Sequence, residues 1–118
     1  MTDSLPMSST VVLFTREGLG SGDPELMHAL AARYLGLLLA GGLLPAAVCF
    51  YTEGVHLVAE GSPLLGPLAQ LAERGCRLLV CGTCVDHYGL REHVRVGTVC
   101  GMPDILDAQL RAGRVITV

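Results

Sequence analysis

The sequence predicts an α/β fold of three layers, α/β/α, in which a five-stranded, mainly parallel sheet lies between helices on both sides. Short apolar runs rich in β-branched residues alternate with helical patterns, as in a parallel sheet. The first run, TVVLFT at residues 10–15, is continuously apolar, which is typical of a strand covered on both faces. Hydrophobic residues make up 51% of the 118 positions and charged residues 16%, which predicts one domain around its own core.

We expect residues 1–9 to be a flexible tail and residues 10–118 to form a single domain. Asp23 at the N-cap, Pro24 at the first helical position and Glu25 in the first turn predict a helix that ends near residue 40. The helical stripe predicted to face the sheet consists of Met27, Leu30, Ala31, Tyr34 and Leu38. The other faces of this helix are also largely apolar, which fits either a well-covered core helix or one that also packs against another subunit.

The remaining elements follow the same alternation. Further strands are predicted at residues 46–51, 77–81, 94–99 and 115–118, and further helices at residues 63–73, 84–89 and 103–111. In a parallel sheet, ligands and reactive groups gather at the carboxyl ends of the strands. The segments predicted at that edge are residues 18–22, 52–55, 81–84 and 100–101. Three of the five cysteines therefore fall on one edge of the sheet.

Composition and charge argue against several classes of function. The net charge is −3 and the eight basic residues, all arginine, are scattered, so there is no basic stripe for nucleic acid. The N-terminus lacks the pattern of a secretory signal, and the uncharged stretch at residues 34–52 is interrupted by Gly41, Gly42 and Pro45, which argues against a membrane span. We therefore expect a cytoplasmic protein. Its odd number of cysteines favours free thiols over a disulfide framework.

The strongest candidate site is the C-x-x-C motif formed by Cys81 and Cys84, with Gly82 and Thr83 between them. The motif ends a buried strand and opens a short helix, where free backbone N–H groups favour the thiolate, the reactive form of cysteine. Gly82 lets the chain turn and lets another molecule approach the sulfur. His87 is placed one turn after Cys84, where it could accept a proton. We therefore expect Cys81, Cys84 and His87 to be the catalytic residues of a thiol site that attacks another sulfur.

Other interpretations of the same motif stay open. The two cysteines can be small buried residues that complete the core, because free cysteine is often buried. A C-x-x-C is also half of many zinc sites, although the candidate partners His87, His93 and Cys100 lack the usual spacing of a second half. A thioredoxin-type dithiol is a third alternative, but its motif follows an early strand, whereas this one follows the third. We expect neither a cofactor nor a bound metal ion.

The pocket around these thiols is predicted from the same strand ends. Its expected lining residues are Gly18, Gly20, Gly22, Gly54, Gly82, Thr83 and Cys100. The glycine-rich loop matches neither common phosphate-binding pattern, and the chain has no lysine, so the loop is predicted to be a tight turn beside the site. Cys49 lies inside a predicted strand and Cys76 precedes one, so both are expected to be structural. Arg91 is expected to add a positive charge near the thiols.

Several segments together resemble the DsrE-like proteins. In the first half of the chain they are the VVLFT run, the GLGSGD loop, Phe50-Tyr51, Gly54-Val55 and the stretch from Glu60 to Pro63 leading to Leu71 and Gly75. The most specific segment is CGTCVDHYGL at residues 81–90, followed by Val96-Gly97, Val99 and Met102. This combination is similar to the C-terminal domain of the YedF-type, sulfurtransferase-like selenium metabolism proteins. The resemblance covers nearly the whole chain from residue 11 onward.

The resemblance implies a three-layer fold of the DsrE/F type and a homo-oligomer, as a dimer, trimer or hexamer. It also implies a sulfur relay in which a carrier cysteine holds sulfur as a persulfide. The relay cysteine matches Cys81, and Cys84 belongs to the C-G-T-C version of the motif. YedF-type proteins usually carry an N-terminal TusA-like domain, so we expect the sulfur donor or acceptor of this chain to be a separate TusA-like protein.

We therefore expect a sulfurtransferase or persulfide carrier that holds sulfur, or selenium in its place, on Cys81. Cys84 is the second thiol, which releases the sulfur or protects Cys81 as a reversible disulfide, and Cys100 is a candidate additional resolving thiol. One alternative is a non-catalytic oligomeric binding module of the same fold, which uses the strand-end pocket for a ligand or partner. A thiol-based redox or zinc sensor is the other alternative.

Overall fold

The structure is a computed structural model that describes residues 6–118. Its strands are β1 (Thr10–Phe14), β2 (Ala47–Phe50), β3 (Arg77–Cys81), β4 (Thr98–Cys100) and β5 (Arg114–Thr117). Its α-helices are α1 (Pro24–Ala40), α2 (Leu65–Glu73), α3 (Gly82–His87) and α4 (Met102–Arg111). Two 3₁₀ helices occupy Met7–Ser9 and Thr52–Val58. The tail expected at residues 1–9 therefore lies partly outside the described residues, which start at Pro6.

The five strands form one sheet in the order β4-β3-β2-β1-β5, and every neighbouring pair is parallel. The first three crossovers move in one direction across the sheet, whereas the fourth returns to the opposite edge. Because crossovers between parallel strands are right-handed, this reversal places α1, α2 and α3 on one face and α4 on the other. The predicted three-layer α/β/α fold is confirmed.

Side chains alternate along each strand, so the sheet has two distinct apolar faces. The face under α1 and α2, here called the thick face, buries Phe14 and Phe50, whose rings stack with centroids 5.6 Å apart. The face under α4, here called the thin face, holds a smaller core, to which α4 contributes Ile105 and Ala108. Most of the apolar burial that stabilises the fold therefore lies on the thick face.

The fourth strand differs from its prediction. The sequence predicts residues 94–99, whereas β4 begins four residues later. Val94 instead forms an isolated antiparallel bridge with Ala59, and the N–H of Arg95 donates to the carbonyl oxygen of Val58 at 2.8 Å. Gly97, at a φ of 85°, then turns the chain into the sheet, in a conformation that glycine adopts without strain. Contacts with the segment after β2 thus compete with the sheet for this apolar run.

Helix α1 buries Ala31 and Leu38 of the predicted stripe, and it also buries Leu35, which lies outside that stripe. Its buried residues are Ala31, Leu35 and Leu38, whereas Leu30, which was expected to face the sheet, is 40% exposed. Residues three and four positions apart share one face of a helix, and Leu35 is the residue that completes this spacing. The large apolar residues that α1 leaves exposed are Leu26, Leu30 and Leu37. Despite them, no helix within residues 6–118 combines the length and apolar character needed to cross a bilayer.

Candidate functional site

The two thiols of the C-x-x-C motif lie at the junction of β3 and α3. Cys81 is the last residue of β3 and the N-cap of α3, and Cys84 lies in the first turn of that helix. The side chain of an N-cap residue points toward the residue three positions later, so this spacing brings the two sulfurs together. The thiols of Cys81 and Cys84 lie close enough for Cys81 to affect the pKa of Cys84.

The two thiols differ in their exposure to solvent. Cys81 is 1% exposed, whereas Cys84 is half-buried. The alternation of β3 turns Cys81 toward the thin face, where it packs in one cluster with Leu79 and Ile105. Cys84 packs against the cores of both faces and still reaches the surface. A reactant that arrives from solution therefore meets Cys84 first.

The sulfur of Cys84 accepts a hydrogen bond from the backbone of the turn after β2. The N–H of Thr52 donates to the Sγ of Cys84 at 3.1 Å. Thr52 has a φ of 54°, the one positive φ of a non-glycine residue within residues 6–118, and a β-branched residue is strained there. The turn packs tightly, because a Cβ at Gly54 would overlap the carbonyl oxygen of Phe14. This packing holds the Thr52 N–H against the sulfur.

The surroundings of Cys84 act on its ionisation in opposite directions. Burial raises the pKa of the Cys84 thiol above its ordinary value. The N–H of Thr52 opposes this rise in pKa because it stabilises the thiolate, whereas the neighbouring Cys81 thiol raises the pKa further. The pKa of Cys84 is thus raised, whereas the sequence predicts surroundings that lower it and favour the thiolate. The contact with Thr52 therefore favours the thiolate of Cys84, against the effects of burial and of Cys81.

Cys84 opens into a pocket of about 250 Å³. The residues that line this pocket are Thr52, Thr83, Cys84, His87 and Tyr88. The ring of Tyr88 is held between His56, with ring centroids 4.6 Å apart, and His87, with ring centroids 5.0 Å apart. The structure thus brings the predicted residues Thr83 and His87 to the same pocket as Cys84. Among residues 6–118, no carboxylate or guanidinium group lines it.

His87 and Arg91, the two polar side chains expected to act on the thiols, interact with them less than predicted. His87 is exposed, and the groups that shift the pKa of Cys84 are Thr52 and Cys81 rather than His87. Arg91 donates two hydrogen bonds of 2.8 Å to the carboxylate of Asp86 and keeps the pKa of that carboxyl below its usual value. The positive charge expected near the motif is therefore balanced by a carboxylate.

Three thiols lie on the thin face in three neighbouring strands. Cys49 of β2, Cys81 of β3 and Cys100 of β4 belong to, or pack against, one buried cluster. Cys81 and Cys100 are direct register partners. Cys49 is fully buried, and burial raises its pKa to about 11. Cys76 is buried in the core of the thick face, so both cysteines expected to be structural lie in a core.

The other residues predicted to line the pocket do not converge on Cys84. Those missing from the walls of its pocket are Gly18, Gly20, Gly22, Gly54, Gly82 and Cys100. The glycine-rich loop packs against α1 instead, because the N–H of Leu19 donates to the carbonyl oxygen of Met27 at 3.0 Å. Gly22 lines a separate pocket of about 250 Å³ with Arg16 and His28. The loop is therefore a neighbour of the site and not one of its walls.

Two residues of the site are missed by the sequence reasoning. Thr52 acts through its backbone N–H, and no side-chain pattern predicts such a donor. Its one sequence signal is its position directly after an apolar strand, at the predicted reactive edge. Tyr88 belongs to the segment that carries the family resemblance. It is the C-cap of α3, and its place in the same pocket as Cys84 follows from where that helix ends.

Within residues 6–118, no group of three or more histidine, cysteine, aspartate or glutamate side chains is arranged to hold a metal ion. The C-x-x-C pair alone supplies two of the four ligands that a structural zinc ion requires. The zinc-sensor alternative therefore lacks a ligand set among these residues.

Sequence comparison identifies the family of this fold and thiol site. The sequence model of the DsrE/DsrF-like family matches residues 9–118. The chain belongs to the DsrE/DsrF-like family. This match confirms the family resemblance, and particular closeness to the YedF-type branch stays a prediction. DsrE-like proteins are commonly sulfur relay proteins. No curated protein matches the sequence.

Solved structures share the DsrE-like fold at low sequence identity. MTH1491 from Methanobacterium thermoautotrophicum, a protein of unknown function, is 20% identical with a TM-score of 0.66, over 92% of this chain and 98% of that chain. The ychN protein from E. coli is 15% identical with a TM-score of 0.67, over 93% and 99% of the two chains. BT1422 from Bacteroides thetaiotaomicron, a conserved protein of unknown function, is 14% identical with a TM-score of 0.64, over 98% and 100%. At these identities the likeness concerns the fold alone.

Proposed function

We propose that this DsrE-like protein is a sulfur relay protein that carries sulfane sulfur as a persulfide on the pair of Cys81 and Cys84. One observation carries the proposal: a half-buried thiol, Cys84, lies close to a second thiol, Cys81, that is 1% exposed. Cys84 receives the sulfur, and Cys81 stores it away from solvent and reductants. Cys81 thus keeps the carrier role predicted from the sequence, and Cys84 is the thiol of entry.

The chemistry consists of two exchanges of the same kind. In the first, the Cys84 thiolate attacks the outer sulfur of a donor persulfide, a new S–S bond forms at Cys84, and the donor leaves as a thiolate. In the second, the Cys81 thiolate attacks the outer sulfur on Cys84, and Cys84 leaves as a thiolate that takes up the proton lost by Cys81. Each exchange consumes one thiolate and forms one, so no external oxidant or reductant is needed.

The surroundings of Cys84 suit both exchanges. The N–H of Thr52, 3.1 Å from the sulfur, stabilises Cys84 as a thiolate both when it attacks and when it leaves. The pocket beside it, with Tyr88 as one wall, offers room for the side chain of a donor. A TusA-like protein is the donor or acceptor that the family resemblance implies. Selenium in a perselenide would follow the same steps.

Intact-mass spectrometry after incubation with a small persulfide donor tests this proposal. The wild-type protein is expected to gain sulfur, and peptide mass locates it. Cys84→Ser is expected to prevent the gain at Cys81 because the buried thiol is out of the donor's reach. Cys81→Ser is expected to load but to lose its sulfur faster when a reductant is added. Cys76→Ser, in the core of the other face, is the matched control and should behave as wild type.

Two results would contradict the proposal in different ways. Loading of Cys81 in Cys84→Ser at the wild-type rate would mean that Cys81 does not receive its sulfur from Cys84, so the entry role of Cys84 would be wrong. A wild-type protein that gains no sulfur, from a small persulfide or from a persulfidated TusA-like protein, would make the relay itself wrong. The oligomeric binding module would then be the better description.

The exposed face of α1 supports self-association, which is the second part of the proposal. Leu26, Leu30 and Leu37 are 56%, 40% and 63% exposed, and residues of this size are rarely left exposed on one helix face without a partner. We expect light scattering at tens of micromolar protein to detect an oligomer, and Leu37→Glu to shift it toward the monomer. A monomeric wild-type protein under these conditions would contradict self-association.

A further inference from the structure

We propose that Cys100 is a third relay thiol, so that sulfur that enters at Cys84 passes through Cys81 and leaves the protein from Cys100. This inference rests on the proposed sulfur relay and adds the internal path of the sulfur. It gives the buried carrier two reachable neighbours, one on each side. Donor and acceptor would then meet the protein at two different places on its surface.

The contacts of Cys81 define the path. Its thiol lies close to that of Cys84 in the first turn of α3, and Cys100 is its register partner in β4. Register partners in neighbouring strands lie about 4.8 Å apart, and their side chains point to the same face. A persulfide extends a side chain by one S–S bond of about 2 Å. The outer sulfur on Cys81 therefore comes within reach of the sulfur of Cys100.

The backbone around the motif brings β4 close to the start of α3. The carbonyl oxygen of Cys100 and the Nη2 of Arg91 each lie 3.3 Å from the position that a Cβ would take at Gly82. A side chain at residue 82 would press against both groups, so glycine permits this close approach. The end of β4 is thereby held beside the C-x-x-C motif.

The exposure of the three thiols fits a path between two surfaces. Cys84 and Cys100 are both half-buried, whereas Cys81 between them is buried. Cys84 opens into the pocket with Thr83 and Tyr88, and Cys100 is not part of that pocket. Cys100 instead ends β4, an edge strand of the sheet, on the thin face. A thiol pair that only stored sulfur would need one reachable end, and this arrangement has two.

Cys49 shows that a place on the thin face is not sufficient for a thiol to join the path. Cys49 is fully buried, and its register partner in β3 is Leu79 rather than Cys81. Within residues 6–118 it therefore has neither an opening to the surface nor a thiol as register partner, although Cys100 lies near enough to raise its pKa. We expect it to remain a thiol throughout, which makes it the natural control within the same cluster.

The additional step balances in the same way as the earlier two. The Cys100 thiolate attacks the outer sulfur of the Cys81 persulfide, a new S–S bond forms at Cys100, and the S–S bond at Cys81 breaks. Cys81 leaves as a thiolate and takes up the proton that Cys100 lost. Oxidation states are conserved overall, because the sulfane sulfur only changes its carrier.

Time-resolved mapping of the sulfur tests the path. The protein is loaded with a limiting amount of a small persulfide, quenched with an alkylating agent at successive times, and digested to locate the sulfur by peptide mass. We expect sulfur at Cys84 first and at Cys81 and Cys100 later. Cys81→Ser should keep the loading of Cys84 and lower the sulfur that reaches Cys100 by about tenfold or more. Cys81→Ala is run beside it, because a buried hydroxyl can destabilise the fold.

The control and the contrary results separate this inference from the proposed function. Cys49→Ala, on the same face but off the path, should leave the order and rates unchanged. If Cys100 gains sulfur at the wild-type rate in both Cys81 variants, it loads from solution and the path is overturned while the relay stands. If the wild type loads Cys84 and Cys81 but never Cys100, the path alone is again overturned. If the wild type gains no sulfur at any cysteine, both proposals are overturned.

Discussion

The two faces of the sheet differ both in how they are covered and in which cysteines they carry. The thick face is covered by α1 and α2, contains the stacked rings of Phe14 and Phe50, and holds Cys76 in its core. The thin face is covered by α4 and carries three thiols in neighbouring strands. The comparison teaches that the two faces of one small sheet can differ in cover: dense packing on one face stabilises the fold, and lighter cover on the other leaves one of its three thiols, Cys100, half-buried.

The difference in packing between the two faces should have its largest effect on the free energy of unfolding. Phe50→Ala should lower the free energy of unfolding by about 3–5 kcal/mol, because it removes a fully buried ring and leaves a cavity. Ile105→Ala on the thin face should lower it by about 2 kcal/mol, since fewer neighbours surround α4. Unfolding in urea measures both values. Leu110→Ala, at a position 76% exposed, is the control and should change stability by less than about 0.5 kcal/mol. Equal losses from Phe50→Ala and Ile105→Ala would mean that the two faces are packed alike.

Alkaline pH should weaken both faces together. Burial raises the pKa of Cys49 on the thin face and of Cys76 on the thick face to about 11 each. A raised pKa in the folded state contributes stability that is fully present below the ordinary thiol value of about 8.5 and is lost as pH rises toward the folded value. Each cysteine should account for about 3 kcal/mol of that loss. Urea unfolding between these pH values measures the slope.

The matched variants for this pH dependence are Cys49→Ala and Cys76→Ala. Each should remove part of the alkaline loss of stability while the other cysteine retains its share. A slope unchanged in both variants would show that other groups cause the loss. If only one variant reduces the slope of the unfolding free energy against pH, only the cysteine replaced in that variant has its thiolate disfavoured by burial.

Accessibility should separate the thiols by rate. Cys84 should react with iodoacetamide about tenfold or more faster than Cys81, because the reagent reaches only the half-buried thiol. Since burial raises the pKa of Cys84, its rate should still increase above the ordinary thiol pKa of about 8.5. Peptide mapping of partially alkylated protein measures both rates. Faster alkylation of Cys81 would contradict the burial on which its storage role rests.

The smallest expected effect comes from the turn that bridges the two faces. Thr52→Gly should raise the free energy of unfolding by about 1 kcal/mol, because glycine adopts a positive φ without the penalty of a β-branched side chain. The backbone N–H that donates to Cys84 remains, so the pH dependence of Cys84 alkylation should stay as in the wild type. Gly54→Ala is the contrasting variant: its Cβ displaces the turn, and that pH dependence should change. An unchanged dependence in Gly54→Ala would remove the role given to the Thr52 N–H.

Much of the fold was open to prediction because its signals are local. The continuous apolar run of β1 and the Asp23-Pro24 start of α1 identify a covered strand and the beginning of a helix from a few residues each. The start of β4 was not predictable in this way. Val94 and its neighbours have strand-like composition, and only their contacts with the segment after β2 keep them out of the sheet.

The same distinction between local signals and tertiary contacts applies to the candidate site. The spacing of Cys81 and Cys84 at a strand-to-helix junction predicts two neighbouring thiols, and the structure brings them together. The glycines of the loop were expected at the same pocket because strand ends share an edge, but that edge is wide enough to hold separate pockets. Thr52 was missed because a backbone donor has no signature among side chains.

The amino-acid sequence by itself determined that this chain forms a parallel α/β sheet with a C-x-x-C motif at the carboxyl ends of its strands, because hydrophobic periodicity, helix caps and short motifs depend on neighbouring residues. The tertiary structure alone decided which thiol faces solvent, which backbone N–H meets it, and that Cys100 lies beside Cys81. These features depend on strand register and on the direction of each crossover. Both are set by packing between segments that are distant in the chain.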